Sequence, residues 1–129
     1  AGWDHVALVY DGVNQSIYLN GKLVHQKAAP KPGPFHPERK LFLGAQQSWK
    51  ETQAKPAGLF GSGIMRLFRV SKVPRYDKEF EPADNFETDD NTVFLFDFAK
   101  PDQTSLKDLS HNKNDGTIHH AKWVMERKD

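Results

Sequence analysis

The sequence predicts an all-β fold, an antiparallel β-sandwich or jelly roll. Short Val- and aromatic-rich runs alternate with clusters of Gly, Pro, Asn and Asp along the chain. No window repeats apolar residues at three and four residue spacing over three turns, as a helix would. An Asn-Gly step, Asn20-Gly21, stands between two of the apolar runs, where a two-residue hairpin needs positive φ at both positions. With 129 residues, 12% of them aromatic, the chain can build one core but not a two-lobed enzyme.

Each element follows from local chemistry. Residues 3–10 form the first strand, stopped by the turn formers Asp11-Gly12-Val13-Asn14. Residues 16–19 form the second, with Ile17 and Leu19 on one face and Tyr18 on the other. Residues 22–26 complete a three-stranded meander after the Asn-Gly turn. Four prolines between residues 28 and 37 exclude a central strand there, because proline cannot donate to a ladder. Leu41-Phe42-Leu43-Gly44 reads as a short buried strand, and residues 45–56 as a polar loop holding one Trp. Residues 59–70 are extended, with Gly61 and Gly63 marking a bulge or a close backbone approach. Residues 71–91 are charged and carry Pro74 and Pro82, which makes them a surface crossing with one short helical turn at residues 77–80. In the strand at residues 93–98, Phe94, Phe96 and Phe98 share a side. Residues 108–116 are a loop dense in oxygen atoms, and residues 117–124 are the last strand. Trp3 and Trp123 fall in strand patterns and are assigned to the core. Residues 1–125 make a single domain segment, and 126–129 a polar tail.

Composition excludes several functions. Eighteen Lys and Arg against seventeen Asp and Glu leave a net charge of +1, too even for a nucleic-acid partner or an anionic membrane surface. No cysteine is present, so disulfides, Cys-bound zinc and thiol catalysis are excluded. The longest clean apolar run, Val6-Ala7-Leu8-Val9, is far shorter than the roughly 20 residues of a membrane span. The opening Ala1-Gly2-Trp3 has no signal-peptide pattern and reads like the interior of a longer reading frame.

Two places carry candidate chemistry. Asp108, Ser110, Asn112, Asn114 and Asp115 offer hard oxygen ligands at close spacing, and a turn at Gly116 could bring several together around calcium. Asp108, Asn112 and Asp115 are the candidate metal ligands. The competing reading is an Asx-rich turn whose side chains bond their own backbone. Trp49, among Gln46, Gln47, Ser48, Lys50 and Glu51, presents an aromatic face beside amides, which suits a sugar ring. Gln47 and Trp49 are the candidate ligand-binding pair, and the competing reading is a loop anchor. His119 and His120 are adjacent and point to opposite faces of a strand, so a shared metal is not expected. The chain has no phosphate-binding glycine loop, nucleophile elbow or His-Glu zinc motif.

The segment Trp3-Asp4-His5-Val6-Ala7-Leu8-Val9-Tyr10-Asp11-Gly12, followed by Ile17-Tyr18-Leu19-Asn20-Gly21-Lys22-Leu23-Val24, resembles the central hairpin of concanavalin A-like lectin/glucanase domains, in their laminin-G-like and pentraxin-like branches. Leu41-Phe42-Leu43-Gly44-Ala45, Phe60-Gly61-Ser62-Gly63-Ile64 and Phe68-Arg69-Val70-Ser71 resemble strands that follow. Phe96-Asp97-Phe98, Asp108-Leu109-Ser110-His111-Asn112, Gly116-Thr117-Ile118 and Ala121-Lys122-Trp123-Val124 resemble the closing segment of large bacterial surface proteins with this module. The resemblance spans nearly the whole chain but only the C-terminal half of the family's domain.

It implies a partial concanavalin A-like jelly roll in an extracytoplasmic protein, acting as a non-catalytic module for carbohydrate or a partner protein. A half sandwich leaves an apolar sheet face to be covered by the missing half or by another subunit. Two alternatives stand beside it: a structural accessory domain without a free ligand, and part of a glycan-degrading enzyme whose catalytic residues lie elsewhere. The family's glucanases carry a Glu-x-Asp-x-x-Glu strand motif that is absent here, and the acidic residues between 79 and 90 read as a solvated loop.

Overall fold

The computed structural model describes residues 2–33, 40–47, 56–60, 62–99 and 105–124. Among them are seven strands and no helix: β1 (Val6–Tyr10), β2 (Asn14–Leu19), β3 (Lys22–Ala28), β4 (Ala45–Gln47), β5 (Pro56–Phe60), β6 (Leu67–Ser71) and β7 (Thr92–Asp97). They pair antiparallel as a three-stranded sheet, β1-β2-β3, and two ribbons, β4-β5 and β6-β7.

The first sheet is built by its turns. Asp11 Oδ1 accepts the backbone N–H groups of Val13 (2.8 Å) and Asn14 (2.6 Å), closing the β1-β2 connection. Asn20 and Gly21 take φ of 50° and 78°, the left-handed geometry the hairpin demands. The Asn20 side chain also ties this turn to the chain entering β1. Its Oδ1 accepts the His5 N–H and its Nδ2 donates to Asp4, both at 2.8 Å.

Register then decides which side chains are inside. Ala7 faces Tyr18 and Val9 faces Ser16. Ala7, Ser16 and Tyr18 are buried, and burying a ring the size of Tyr18 stabilises by about 2–3 kcal/mol. The opposite face carries Val6 against Leu19 and Leu8 against Ile17. That face is open: Leu8 is 77% exposed and Val6 61%. The expected separation of Tyr18 from Ile17 and Leu19 is what the sheet shows.

Residues 72–91 cover the inner face. They form a crossing, as the prolines imply, but not one confined to the surface. Tyr76, Phe80 and Phe86 turn inward and pack around Tyr18 and His5, with Tyr76 stacked on Phe80 at 3.5 Å. The helical turn expected at residues 77–80 does not form. The Phe80 N–H bonds across the molecule to the Gly21 carbonyl (3.0 Å) instead of to its own turn. A Cβ on Gly21 would lie 1.7 Å from the Phe80 carbonyl oxygen, so only glycine lets the two backbones meet.

In the β6-β7 ribbon, Phe68, Phe94 and Phe96 stack along one side, continuing through Phe98 to Trp123. Leu95 and Phe96 are buried. Three expectations need correction. The strand assigned to residues 41–44 begins only at Ala45, because Gly44 takes φ 73° and breaks extended geometry; Leu41 is exposed. Residues 117–124 form no strand; His120 at φ 58° interrupts the run, and pairing is limited to the Leu106–Gly116 bridge. Trp3 is 42% exposed and is not core.

Candidate binding cleft

Residues 105–116 show what the oxygen-rich loop does. Asp108 is buried, and its Oδ1 accepts the N–H groups of Leu95 (3.0 Å) and Ser110 (2.8 Å). Its Oδ2 accepts the Ser110 hydroxyl and the Asn114 N–H, each at 2.8 Å. Burial pushes this carboxyl up, but the hydrogen bonds from Ser110, Leu95 and Asn114 outweigh it and hold the pKa below the usual carboxylate range. Asn112 Nδ2 donates to the Val93 carbonyl (2.7 Å), and the Leu109 N–H to the Leu95 carbonyl (2.9 Å). The loop is thus a clasp that satisfies the free edge of β7 with side chains in place of a neighbouring strand.

Asp108, Asn112 and Asp115 are therefore brought into one loop, where each makes hydrogen bonds within the protein. Both Asp108 oxygens already accept two hydrogen bonds each. Asp115 divides its carboxylate between the Asp108 N–H (3.0 Å) and the Lys107 ammonium (2.6 Å). Asn112 donates its amide nitrogen to the Thr92 and Val93 carbonyls. Among the described residues no three His, Asp or Glu side chains converge as metal ligands. Trp49 and the side chain of Gln47 lie outside the described residues; the Gln47 backbone closes β4 opposite Pro56.

A cleft of about 400 Å³ lies between the first sheet and the crossing. The sheet contributes Val9, Asp11, Ser16, Tyr18 and Gln26. The crossing contributes Pro74, Arg75, Tyr76 and Asp77. Strand alternation explains the sheet wall: Val9, Ser16 and Tyr18 share the inner face, and Gln26 pairs with Ser16 in register. Gln26 Nε2 donates to Ser16 Oγ at 3.0 Å, fixing the amide in the floor.

The other wall is held by Arg75. Its guanidinium grips the Asp89 carboxylate through two bonds of 2.7 and 2.6 Å, and its Nε donates to Ser71 Oγ at 2.8 Å. The Arg75 fork, with help from Thr92 and the Asn91 N–H, holds the Asp89 carboxyl far below the usual range. Behind Tyr76 sits His5, edge-on to Tyr76, Phe80 and Phe86, with Nδ1 buried and unpaired. Burial, and then the nearby Arg69 charge, lower the His5 pKa.

The residues lining both walls of the cleft lie between Val9 and Asp77. A laminin G-type family model, described as the concanavalin A-like lectin/glucanases superfamily, matches residues 1–78, more than half of the chain. The chain belongs to the concanavalin A-like lectin/glucanases superfamily. The match covers the N-terminal part of the chain rather than a C-terminal half, so residues 79–129, with the clasp and the closing segment, lie outside it. No curated protein and no solved structure matches the chain.

No sequence motif marks Asp11, Gln26, Arg75, Tyr76 or Asp77 as lining a cleft. Tyr76, Phe80 and Phe86 inside an otherwise charged segment were the available signal that the crossing packs onto a sheet.

Proposed function

We propose that this concanavalin A-like chain is a non-catalytic binding module of an extracytoplasmic protein, and that it holds carbohydrate in the cleft between β1-β2-β3 and the crossing. The observation that carries this reading is the composition of the cleft. Apolar surface from Val9, Pro74 and Tyr76 lies beside the hydroxyl of Ser16, the amide of Gln26 and the carboxylates of Asp11 and Asp77. Sugar rings need that combination, apolar CH patches to cover and several groups to meet hydroxyls. Laminin G-type domains are typically extracellular binding modules, and the chain lacks the glucanase Glu-x-Asp-x-x-Glu string, which supports binding over hydrolysis. No helix among the described residues is long and apolar enough to cross a membrane. An array of purified glycans tests the reading. Retention of at least one glycan that Tyr76→Ala abolishes is expected; equal retention by wild type and variant would remove the cleft as the site.

A second reading, association with another subunit or with further strands of a sandwich, draws on the open outer face of the first sheet. Val6, Leu8 and Leu19 are exposed side by side there. Sedimentation of wild type and Leu8→Asp checks it: a self-association that the variant loses supports it, and identical monomers at all concentrations count against self-association.

A further inference from the structure

Resting on the cleft reading above, we infer that the site is selective by charge: it takes sugar rings that donate hydrogen bonds and carry no acid group, neutral or amino-substituted, and it rejects sulfated and uronic-acid glycans. Charge on the two walls sets this selectivity. Asp11 stands at the sheet end of the cleft and Asp77 on the crossing. The N–H groups of Asn14 and Val13 hold the Asp11 carboxyl below its ordinary value, so it stays ionised in neutral solution. Asp77 is exposed and has no ion pair among the described residues.

Arg75, the one cation lining the cleft among the described residues, is already committed. Arg75 has both terminal nitrogens on Asp89 and its Nε on Ser71, which leaves little of the guanidinium fork for a ligand. Two further cations stand on this stretch of the crossing, Lys72 and Lys78; Lys72 donates to the Asp90 carbonyl at 3.1 Å, and neither lines the cleft. An incoming sulfate or carboxylate would meet two carboxylates and, among the described residues lining the cleft, no free cation, and would lose its hydration without compensation. Sugar hydroxyls and ammonium groups are donors, and both carboxylates can only accept. The Ser16 hydroxyl, held by Gln26 in the floor, and the Tyr76 phenol add groups that can accept as well as donate.

The test is titration of the ¹⁵N-labelled chain with four probes: cellohexaose, a glucosamine hexamer, a hexagalacturonate and a heparin hexasaccharide. Expected are amide shifts at Tyr18, Gln26 and Tyr76 with the first two probes and none there with the acidic pair. Asp77→Lys, at an exposed position where the fold is not at stake, should weaken the neutral and amino probes about tenfold or more, the scale of one charged hydrogen bond. Acidic probes binding at the cleft as well as the neutral ones, or an Asp77→Lys variant within twofold of wild type, would overturn the charge selectivity while leaving a carbohydrate site in place. If none of the four probes shifts the cleft amides, the carbohydrate reading itself falls, and the selectivity with it.

Discussion

Replacing Gly21 by Ala attacks the one point where the first sheet and the crossing meet backbone to backbone. Two costs add. At φ 78° a Cβ is strained by about 1–2 kcal/mol. The same Cβ would sit 1.7 Å from the Phe80 carbonyl oxygen and 2.8 Å from its carbon, so the crossing must retreat. Retreat breaks the 3.0 Å bond from the Phe80 N–H to the Gly21 carbonyl, about 1 kcal/mol, and loosens the Tyr76–Phe80 stack on Tyr18 by about as much again. The sum is about 3–4 kcal/mol.

Gly12 is the internal control. It also has positive φ, 93°, but nothing lies within 4 Å of its Cβ position, so Gly12→Ala should cost only the strain. With an unfolding entropy near 2.1 cal/mol/K per residue, 1 kcal/mol corresponds to about 4 °C in a chain of this length. Calorimetry should therefore show Tm falling by about 4–8 °C for Gly12→Ala and about 11–15 °C for Gly21→Ala. Equal shifts in the two variants would refute the claim that close approach, rather than backbone geometry alone, fixes this position.

Asp108→Asn turns one acceptor oxygen into a donor facing N–H groups and should destabilise by about 3 kcal/mol, seen as a lower urea midpoint at unchanged slope; an unchanged midpoint would deny the clasp its role. Calcium or a chelator should leave the Tm of the wild-type chain where it is, and a rise of several degrees with calcium would show that the loop rearranges into a metal site. His5 binds its proton more weakly folded than unfolded. Its contribution to stability is therefore fully present above the unfolded pKa near 6.5 and is lost as pH falls through the lower folded value. Denaturation midpoints measured from pH 7.5 to 5 should fall in wild type and fall less in His5→Phe; parallel profiles would rule out His5 as the cause. Asp108, with its folded pKa also depressed, should add a separate loss of stability only below about pH 4, the ordinary carboxylate range.

The meander was legible because its signals are local. The Asn20-Gly21 turn, the Asp11 turn and the alternation around Tyr18 each depend on a few neighbouring residues. The failures share a cause, since long-range contacts override local pattern. Residues 41–44 look like a strand by composition, yet a left-handed Gly44 sits at their end. Residues 77–80 could wind into a turn, yet the Phe80 N–H finds Gly21 across the molecule. The oxygen-rich loop suggested a cation by ligand type. Only the position of β7 reveals that the Asp108 oxygens answer backbone N–H groups. The cleft was illegible for the same reason, because Gln26 and Tyr76 become neighbours only after the crossing folds back.

With the Val93 and Leu95 peptide groups already occupied by the clasp, β7 cannot recruit a new strand on that side. Of the first sheet's two margins, β3 is studded with Lys22 and Lys27, charges that discourage lateral docking. β1 has no such guard along Val6–Tyr10. Any lengthening of this sheet by foreign backbone is thereby given a direction, starting from β1.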